Sequence, residues 1–415
     1  MKRLFQGAGK VWIIILMIAL LLTGCALLPS TVANVAREAA NGVTAEDSVV
    51  ISREEFERFQ RYAEIDELLR MVELYYYQEP DIAAMLERAA QGLLYGLEDP
   101  YTFYYTPEQF KDMWEADKGE YAGIGIQLQG SYETFLCTIT RVFEGTPAFE
   151  AGLHKGDILV KVDDLDVTAY TINEAVAIMR GEVGGIVEMQ VIRGEETLDF
   201  SVPRAVVHVN WVSSCMLDES VGYIVLYEFS GDCSEKFREQ MEELQKQGAK
   251  GLVVDLRDNG GGWVEDALNL ADIFLPEGTI TYLEDRYGGR QYYKATAGAL
   301  DMPLVVLVNE NSASASEILA GALQDYEKAT IVGVKSFGKG VVQNVLDVST
   351  SGAGAQITAA QYYTPNGNAV HKVGITPDVE ALLPEGDNTL YELGDMADAQ
   401  LKKAYEVALE LLQGK

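Results

Sequence analysis

The stretch LVVLVNENSASASEILAGAL, residues 304–323, decides the fold of this chain because it joins a strand to a helix across a short polar loop. The unbroken apolar run at 304–308 predicts a strand that is buried on both faces. Beyond the loop, Ser314 and Glu317 have the spacing of a helix capping box, and apolar residues then recur at helical spacing. A buried strand followed directly by a helix is typical of a parallel sheet.

Neighbouring segments repeat this alternation of strand and helix. Strand patterns occupy residues 222–229, 252–257 and 330–334, and helix patterns occupy residues 233–247 and 264–274. Buried strands with helices between them imply right-handed crossovers and a parallel sheet. The sequence therefore predicts an α/β core over residues 206–385, with its reactive groups in loops at the carboxyl ends of the strands.

Length and charge limit the classes of function. The 415 residues exceed what one hydrophobic core usually supports, so two or three domains are expected. The 64 aspartates and glutamates outnumber the 32 lysines and arginines, which gives a formal net charge of −32. Because the negative electrostatic potential of such a charge repels phosphate backbones, the charge argues against nucleic acid as a partner. For the same reason it argues against simple electrostatic docking on anionic lipid.

The first residues have the pattern of an export signal. Basic residues precede an apolar run over Val11–Leu22, and small residues then lead up to Cys25. The tetrad Leu-Thr-Gly-Cys at 22–25 resembles a bacterial lipoprotein box, which implies cleavage before Cys25 and lipid attachment to its sulfur. An uncleaved membrane anchor over residues 11–28 is the alternative. In both cases residues 1–25 are expected to attach the protein to the cell membrane and place its body outside the cytoplasm.

The region after this signal is expected to be helical. Residues 26–50 lack a sustained apolar stripe and are predicted to be a tether. From Ser52 onwards, a capping box and apolar residues at helical spacing predict a small N-terminal helical domain over residues 51–118. Its expected roles are packing and self-association, so a homo-oligomer is one expectation of the sequence.

Residues 119–205 change to short strands around one long helix. Residues 121–130 alternate apolar and polar side chains, and a helix pattern covers residues 172–179. With Tyr-Ala-Gly-Ile-Gly-Ile at 121–126 and Gly-Asp-Ile-Leu at 156–159, this segment resembles a PDZ domain. The resemblance implies a β-barrel-like fold that binds the carboxyl terminus of a peptide.

Five residues are expected to contribute to that peptide site. The two glycines let backbone N–H groups turn inward around a terminal carboxylate, and the three apolar side chains supply a pocket for a peptide side chain. These residues are Gly123, Ile124, Gly125, Ile126 and Met179.

Two loops of the α/β core contain candidate catalytic groups. Three successive glycines at 260–262 leave backbone N–H groups uncovered at the start of a helix, which suits a developing negative charge. In the second loop, Ser314 taken alone is explained as a helix cap. A serine nucleophile needs a base, and none of the three histidines has a sequence context that nominates it. Lys339, between two glycines and apolar neighbours, is the lysine whose burial would lower its pKa enough to serve as a base.

The combination of SASASE at 312–317 with FGKGVVQ at 337–343 is similar to the carboxyl-terminal processing peptidases, also called tail-specific proteases, of peptidase family S41. The similarity extends over roughly residues 60–385. It implies a core of the ClpP/crotonase type with Ser314 as the nucleophile, Lys339 as the general base and Gln343 as the residue that positions the lysine.

In the same resemblance, the backbone N–H groups of Gly261 and Ala315 would stabilise the oxyanion. The family has Asn-Pro-Gly-Gly where this chain has Asn-Gly-Gly-Gly at 259–262. Gly260 in place of proline makes the loop looser, because glycine permits many more backbone conformations than proline does.

The sequence therefore predicts an α+β multidomain serine endopeptidase that acts on the carboxyl-terminal regions of protein or peptide substrates. The cysteines lack metal-like spacing, so no zinc site is expected. The mechanism implied for Ser314 and Lys339 needs neither a metal nor an organic cofactor. One alternative is a PDZ adaptor lipoprotein with a silent core, in which Ser314 only caps a helix. Another is an acyl-transfer or hydratase-type enzyme, which has no use for a serine and a lysine at this spacing. Residues 386–415 are predicted to form a helical segment that packs on the core or on another subunit.

Overall fold

The computed structural model describes residues 51–117, 119–131, 134–384 and 389–414. The chain divides into two units between Leu86 and Glu87. The predicted end of the helical domain, residue 118, therefore lies within the second unit. The predicted signal with Cys25 and the predicted tether lie outside the described residues.

Helices alternate with strands along most of the chain. Within the described ranges the helices are α1 (Arg53–Gln60), α2 (Ala63–Tyr75), α3 (Ile82–Tyr95), α4 (Pro107–Asp117), α5 (Pro147–Ala151), α6 (Ile172–Met179), α7 (Cys233–Gln247), α8 (Val264–Phe274), α9 (Ala315–Asp325) and α10 (Ala399–Gln413). The strands are β1 (Phe103–Tyr105), β2 (Glu120–Gly123), β3 (Ile126–Gly130), β4 (Cys137–Val142), β5 (Ile158–Val162), β6 (Leu165–Asp166), β7 (Ile186–Arg193), β8 (Glu196–Pro203), β9 (Ala205–His208), β10 (Val212–Met216), β11 (Val221–Leu226), β12 (Gly251–Asp255), β13 (Gly278–Asp285), β14 (Arg290–Ala295), β15 (Leu304–Val308), β16 (Ala329–Gly333), β17 (Val341–Val348), β18 (Ala353–Tyr363) and β19 (Val379–Glu380).

The first unit contains α1, α2 and the beginning of α3. The Ser52 hydroxyl accepts the N–H of Glu55, and the Glu55 carboxylate accepts the N–H of Ser52, so the predicted capping box is present. Neither α1 nor α2 buries a residue within its own unit. Over the residues that the structure describes, none of the helices is both long and apolar enough to cross a membrane.

The central sheet of the second unit has the strand order β10-β11-β12-β15-β16-β19. All neighbouring strands are parallel except β10 and β11. Helices α7, α8 and α9 pack on one face of this sheet, and α10 packs on the other. Covering both faces buries every residue of β12 and of β15, which explains the apolar runs at residues 252–254 and 304–308. The predicted α/β core is confirmed.

The C-terminal helix packs on this core. Its Leu401, Ala404 and Ala408 contact side chains of the central sheet. The helix begins at Ala399, within the predicted helical segment 386–415, because the Asp398 side chain accepts the N–H groups of Gln400 and Leu401 and thereby caps it.

A second, antiparallel sheet lies beside the central one, with the order β1-β18-β13-β14 and with β17 paired to β18. Its edge strand β1 comes from the segment that the sequence assigns to the helical domain, and it pairs with β18 from Phe103 opposite Gln356 to Tyr105 opposite Gly354. Helix α4 follows directly, and a Cβ at Gly354 would overlap the Phe110 ring. Residues ahead of the PDZ-like module therefore form part of the core.

The PDZ-like module contains a sheet in the order β3-β4-β5-β7-β8, with β6 paired to β5. Helix α6 covers residues 172–179, as predicted, and packs with the sheet around a separate apolar cluster. Strands β2 and β9 pair from Glu120 opposite His208 to Gly123 opposite Ala205, so the chain enters and leaves the module side by side.

Candidate active site

The two glycine- and serine-containing loops meet where the parallel strands β12 and β15 end. The strands are in register from Leu252 opposite Leu304 to Asp255 opposite Leu307, so their carboxyl ends coincide. The Asn259 carbonyl accepts the Ala313 N–H at 3.0 Å and the Ser316 hydroxyl at 2.9 Å. These bonds fix one loop against the other.

The outer serines of SASAS therefore have structural contacts. Ser316 is fully buried and bonds Asn259, while the Ser312 hydroxyl donates to the Leu256 carbonyl at 2.7 Å. Ser312 also accepts the Asn309 N–H at 2.9 Å. Both side chains therefore hold the loop in place.

Ser314 has a strained backbone at the start of α9. Its φ of 57° and ψ of −115° lie outside the regions that non-glycine residues normally occupy. Such a conformation costs about 1–3 kcal/mol and persists only where the surroundings enforce it. Its N–H donates to Glu317 Oε2 at 2.9 Å, and only 8% of the residue is exposed. Strain of this kind is typical of functional residues.

Glu317 joins the Ser314 loop to the Lys339 loop. Its carboxylate, 1% exposed, also accepts the Ser336 hydroxyl at 2.6 Å, the Gly338 N–H at 2.7 Å and the Lys339 N–H at 2.9 Å. A buried carboxylate with this many donors is fully satisfied and rigid. The sequence identifies Glu317 only as a capping residue, so this second role was missed.

Tyr362 adds another link between the two loops. Its hydroxyl lies 2.8 Å from the carbonyl oxygen of Lys339 and 3.0 Å from that of Ser314. Burial, reinforced by the charge of Glu317, raises the pKa of the Tyr362 phenol well above its ordinary value, so the group remains a neutral donor. Ser314 and Lys339 are therefore attached to one another through their main chains.

The Lys339 side chain is half-buried. Burial lowers the pKa of its ammonium, and the negative charges of Asp99 and Glu317 oppose this effect. The ammonium nitrogen lies 4.9 Å from the centroid of the Tyr101 ring. No hydrogen bond joins the Ser314 hydroxyl to this ammonium among the described residues. Catalytic hydrogen bonds commonly tighten only when substrate is bound.

The glycines beside Lys339 permit close approach of a second segment. Gly338 has a φ of 88°, and a Cβ there would lie 3.1 Å from the backbone nitrogens of Val373 and Gly374. At Gly340, a Cβ would overlap the backbone of His371. The glycines thus let the 370–374 turn pack against the lysine loop.

Gln343 lies four residues further on, in β17. Its side-chain amide donates to the Thr358 hydroxyl at 3.3 Å. The implied role of Gln343 in positioning Lys339 stays a prediction, since the side-chain hydrogen bond of Gln343 is with Thr358. Neither Tyr101 nor Asp99 was identified from the sequence. The only sequence signal near them is the run of aromatic residues in β1, which lies just after them.

The two expected oxyanion donors lie next to Ser314. A Cβ on Gly261, which has a φ of 104°, would be 2.7 Å from the Ser314 Cβ and 2.9 Å from the Ala315 nitrogen. The Ala315 N–H belongs to the first turn of α9, where helical bonds leave donors open. The Gly261 N–H donates to Asn259 Oδ1 at 2.9 Å, so it must leave this partner before it can bind an oxyanion.

Cysteine chemistry does not compete with the serine. Burial raises the pKa of Cys137 to about 11 and that of Cys233 to about 12, so both thiols remain protonated at neutral pH. Among the described residues, no group of three or more His, Cys, Asp or Glu side chains is arranged to hold a metal ion.

The PDZ-like module contains a cavity of about 330 Å³ at the expected peptide site. Ile124, Gly125, Ile126 and Met179 line it, whereas Gly123 lies at the end of β2 and pairs with Ala205. The remaining lining residues come partly from the module and partly from the first part of the core. They are Tyr121, Gln127, Leu128, Phe143, Ile172, Val176, Arg180, Val209, Trp211 and Glu228.

Arg180 gives this largely apolar cavity a positive group. Its guanidinium lies over the Tyr121 ring, 5.2 Å from the centroid. Within the described residues its Nε is buried without a hydrogen-bond partner. A guanidinium whose buried Nε donor is open is suited to an anionic ligand.

Comparison with known proteins defines the class to which this fold and site belong. The sequence profile of peptidase family S41 matches residues 220–381, and a PDZ domain profile matches residues 122–203. The chain is therefore a serine peptidase, a hydrolase of peptide bonds, with a PDZ domain ahead of its catalytic core.

Individual relatives narrow this class. The carboxyl-terminal-processing protease of a Synechocystis species is 37% identical over 333 residues, which are 79% of this chain and 76% of the relative. Carboxy-terminal processing protease CtpA of Bacillus subtilis is 32% identical over 346 residues, 83% of this chain and 74% of the relative. The solved structure of the photosystem II D1 C-terminal processing protease superimposes with a TM-score of 0.54 at 28% identity, covering 85% of this chain and 98% of that one. The chain belongs to the carboxyl-terminal processing proteases of family S41, and the expected family, fold class and enzyme class are confirmed.

Proposed function

We propose that the chain is an endopeptidase with a Ser314–Lys339 dyad that cleaves protein substrates recognised by their carboxyl-terminal regions. The observation that carries the proposal is the Glu317 carboxylate, which binds the backbone of Ser314 and of Lys339 at once. In a single buried contact it holds the strained serine and the half-buried lysine at the carboxyl ends of the central strands.

The proposed chemistry begins with a neutral Lys339 amine. This amine takes the proton of the Ser314 hydroxyl while Oγ attacks the peptide carbonyl, and it returns a proton to the departing amine. The oxyanion is bound by the N–H groups of Ala315 and, once released from Asn259, of Gly261. Losing one such donor costs about 10²–10³-fold in kcat at comparable sites. Water then hydrolyses the acyl-enzyme with Lys339 again as the base.

The dyad predicts a specific dependence on pH. Because only the neutral amine accepts a proton, kcat/KM falls as the pH drops below the pKa of Lys339. Burial lowers that pKa, so the acid limb of the profile lies below the range of an exposed lysine.

The test is cleavage of a carboxyl-terminally tailed protein by the wild type and by Ser314→Ala and Lys339→Ala. Both variants are expected to lose cleavage by several orders of magnitude. Two exposed residues provide matched controls: Ser349→Ala in the turn after β17, and Lys335→Ala four residues before Lys339. Undiminished cleavage by either dyad variant would overturn the assignment of Ser314 and Lys339, whereas absence of cleavage by the wild type itself would favour the silent adaptor.

The PDZ domain is the proposed reader of the substrate. The apolar cavity suits a peptide side chain, and the Arg180 guanidinium suits a terminal carboxylate. The proposed domain limits are residues 119–205 for this domain and 206–385 for the protease core. Both profile matches fall within these limits.

We further propose that the enzyme acts outside the cytoplasmic membrane and is attached to it through residues 1–25. The support is the basic and apolar pattern that ends at Cys25. Metabolic labelling with a radioactive fatty acid tests the lipid: the wild type should incorporate label and Cys25→Ala should not. Membrane association without incorporation would favour the uncleaved anchor.

Self-association is proposed for the N-terminal helices. Helices α1 and α2 are amphipathic but bury no residue in their own unit, and exposed apolar side chains include Phe59 (65%) and Leu68 (55%). A second copy would cover such a face. Sedimentation equilibrium of a protein starting after Cys25 should give a dimer or larger, and a monomer at all concentrations contradicts this proposal.

A further inference from the structure

The segment Asp99–Thr102, just ahead of β1, lies at the site although it precedes the PDZ domain in sequence. The pairing of β1 with β18 brings it there. The Tyr101 carbonyl accepts the Gln356 side-chain amide at 3.1 Å, and the Thr102 hydroxyl accepts the Thr358 N–H at 2.9 Å. Thr102 itself is 4% exposed. The segment is therefore fixed to the protease core from both its main chain and its side chains.

Tyr101 supplies an aromatic face to the Lys339 ammonium. The nitrogen lies 4.9 Å from the ring centroid, within the range of a cation–π interaction. Such an interaction stabilises the charged form of the lysine relative to the neutral form. A ring in this place both fixes the side chain and delays its loss of a proton as the pH rises.

Asp99 is fixed directly beside Tyr101 by two hydrogen bonds. Oδ1 accepts the Tyr101 N–H at 3.1 Å, and Oδ2 accepts the Thr102 hydroxyl at 2.7 Å. Partial burial raises the pKa of the Asp99 carboxyl, but hydrogen bonds, among them those from Thr102 and the Tyr101 N–H, outweigh this and bring it below its ordinary value. Asp99 is thus ionised at neutral pH, and its charge favours the ammonium form of Lys339.

Gln343 is joined to this same segment through Thr358. Its amide donates to the Thr358 hydroxyl at 3.3 Å, and the Thr358 N–H donates to the Thr102 hydroxyl at 2.9 Å. The Thr102 hydroxyl in turn donates to Asp99 Oδ2 at 2.7 Å. Gln343 is therefore connected to the segment that holds Asp99, and among the described residues no hydrogen bond joins it to the Lys339 side chain.

We propose that Asp99 and Tyr101 are positioning residues that hold the Lys339 ammonium in the resting enzyme and set the pH at which Lys339 becomes the base. This inference rests on the proposed role of Lys339 as general base. The other groups that face this pair are Glu317 from α9, Tyr362 from β18, and His371 from the turn after β18. Their contributions are unchanged in the variants described next.

The test is the pH profile of kcat/KM for Asp99→Asn, Tyr101→Leu and Tyr101→Phe. Removing the negative charge or the aromatic face destabilises the ammonium, so the lysine loses its proton at a lower pH. The acid limbs of the kcat/KM profiles of Asp99→Asn and Tyr101→Leu should therefore shift to lower pH by about half a pH unit to one pH unit. Tyr101→Phe keeps the ring and should retain the wild-type limb. An unmoved limb in both Asp99→Asn and Tyr101→Leu overturns the inference.

A direct titration removes the dependence on catalysis. The side-chain ¹³C signal of Lys339 is assigned in isotopically labelled protein by comparison with Lys339→Arg, and its midpoint is measured in the wild type and in each Tyr101 variant. A lower midpoint in Tyr101→Leu than in Tyr101→Phe supports the inference, and equal midpoints contradict it. Thermal unfolding shows whether each variant is folded. If Asp99→Asn is unfolded, the comparison of Tyr101→Leu with Tyr101→Phe alone tests the inference.

The two proposals fail in distinguishable ways. Undiminished cleavage by Lys339→Ala contradicts the dyad itself. Loss of cleavage in Lys339→Ala together with unmoved acid limbs and equal midpoints leaves the dyad intact and contradicts only the roles of Asp99 and Tyr101.

Discussion

At the scale of single residues, two adjacent glycines differ in what they tolerate. A Cβ on Gly261 would lie 2.7 Å from the Ser314 Cβ, at a φ of 104°, whereas a Cβ on Gly260 would meet nothing within 4 Å. We therefore predict that Gly261→Ala displaces either the serine or the oxyanion loop and lowers kcat by about 10²-fold or more. The measurement is steady-state cleavage of a tailed substrate.

Gly260→Ala is the matched control for this variant. It replaces the residue that stands where relatives have proline, and it should retain activity. By restricting the unfolded chain, it should raise the free energy of unfolding by about 0.4–1 kcal/mol. Equal activity of the two variants would show that the close approach of Gly261 to Ser314 has no bearing on catalysis.

Glu317 offers a second prediction at this scale. Glu317→Gln keeps the size of the side chain but replaces one acceptor oxygen by a donor NH₂ group, which must face N–H or O–H donors from Ser314, Ser336, Gly338 or Lys339. Leaving buried donors unsatisfied costs about 1–3 kcal/mol each. Urea unfolding should therefore show a loss of that size, and kcat should fall with it.

The control for Glu317 is Glu310→Gln, since Glu310 is exposed in the loop just before the serines. It should leave both the unfolding midpoint and kcat unchanged. If Glu317→Gln retains wild-type stability, the carboxylate is not what joins the two loops.

At the scale of elements, the sequence predicts what depends on local signals and misses what depends on distant pairing. The bounds of α6, α7 and α8 match the predicted ones because apolar spacing is a local feature. Strand β1 is only three residues long and is stabilised by β18, about 250 positions away, so no local pattern marks it. For the same reason Asp99 and Tyr101, which β1 brings to the site, could not be identified from the sequence.

The attachment of α10 to the core depends on one buried arginine. Arg257 follows β12 and lies 2.7 Å from both Asp255 and Asp398, the residue that caps α10. The Arg257 side chain is 14% exposed, and the two carboxylates are 5% and 4% exposed. Removing one partner of a buried ion pair leaves uncompensated charge and costs about 3–5 kcal/mol.

We therefore predict that Arg257→Met lowers the free energy of unfolding by about that amount, measured by urea denaturation. Hydrogen exchange should show faster opening of α10 than of α8 in this variant. Arg238→Met, at an exposed position of α7, is the control and should change stability by less than about 0.5 kcal/mol. A similar small effect for Arg257→Met would mean that apolar packing alone holds α10 on the sheet.

At the scale of the whole molecule, the peptide cavity is shared between the PDZ domain and the segment that leads into the protease core. Met179 and Arg180 line it from the end of α6. Trp211 lines it from the position just before β10, and Glu228 from the segment just after β11. Glu228, which lines the cavity, directly precedes Phe229 in the chain. Phe229 pairs with Gly262 of the oxyanion loop. A ligand in the cavity would therefore contact a residue whose neighbour is bound to that loop. Binding in the cavity and geometry at Ser314 are therefore physically connected.

This connection predicts that cleavage depends on the distant end of the substrate. A substrate with a free carboxyl terminus should be cleaved faster than the same substrate with an amidated terminus, because the amide removes the charge that Arg180 would bind. Ile126→Asp places a carboxylate in the cavity and should abolish the difference by slowing cleavage of the free-ended substrate. Val183→Asp, on an exposed loop of the same domain, should preserve it. Equal rates for the free and amidated substrates in the wild type would separate the PDZ cavity from catalysis and leave it a tethering site only.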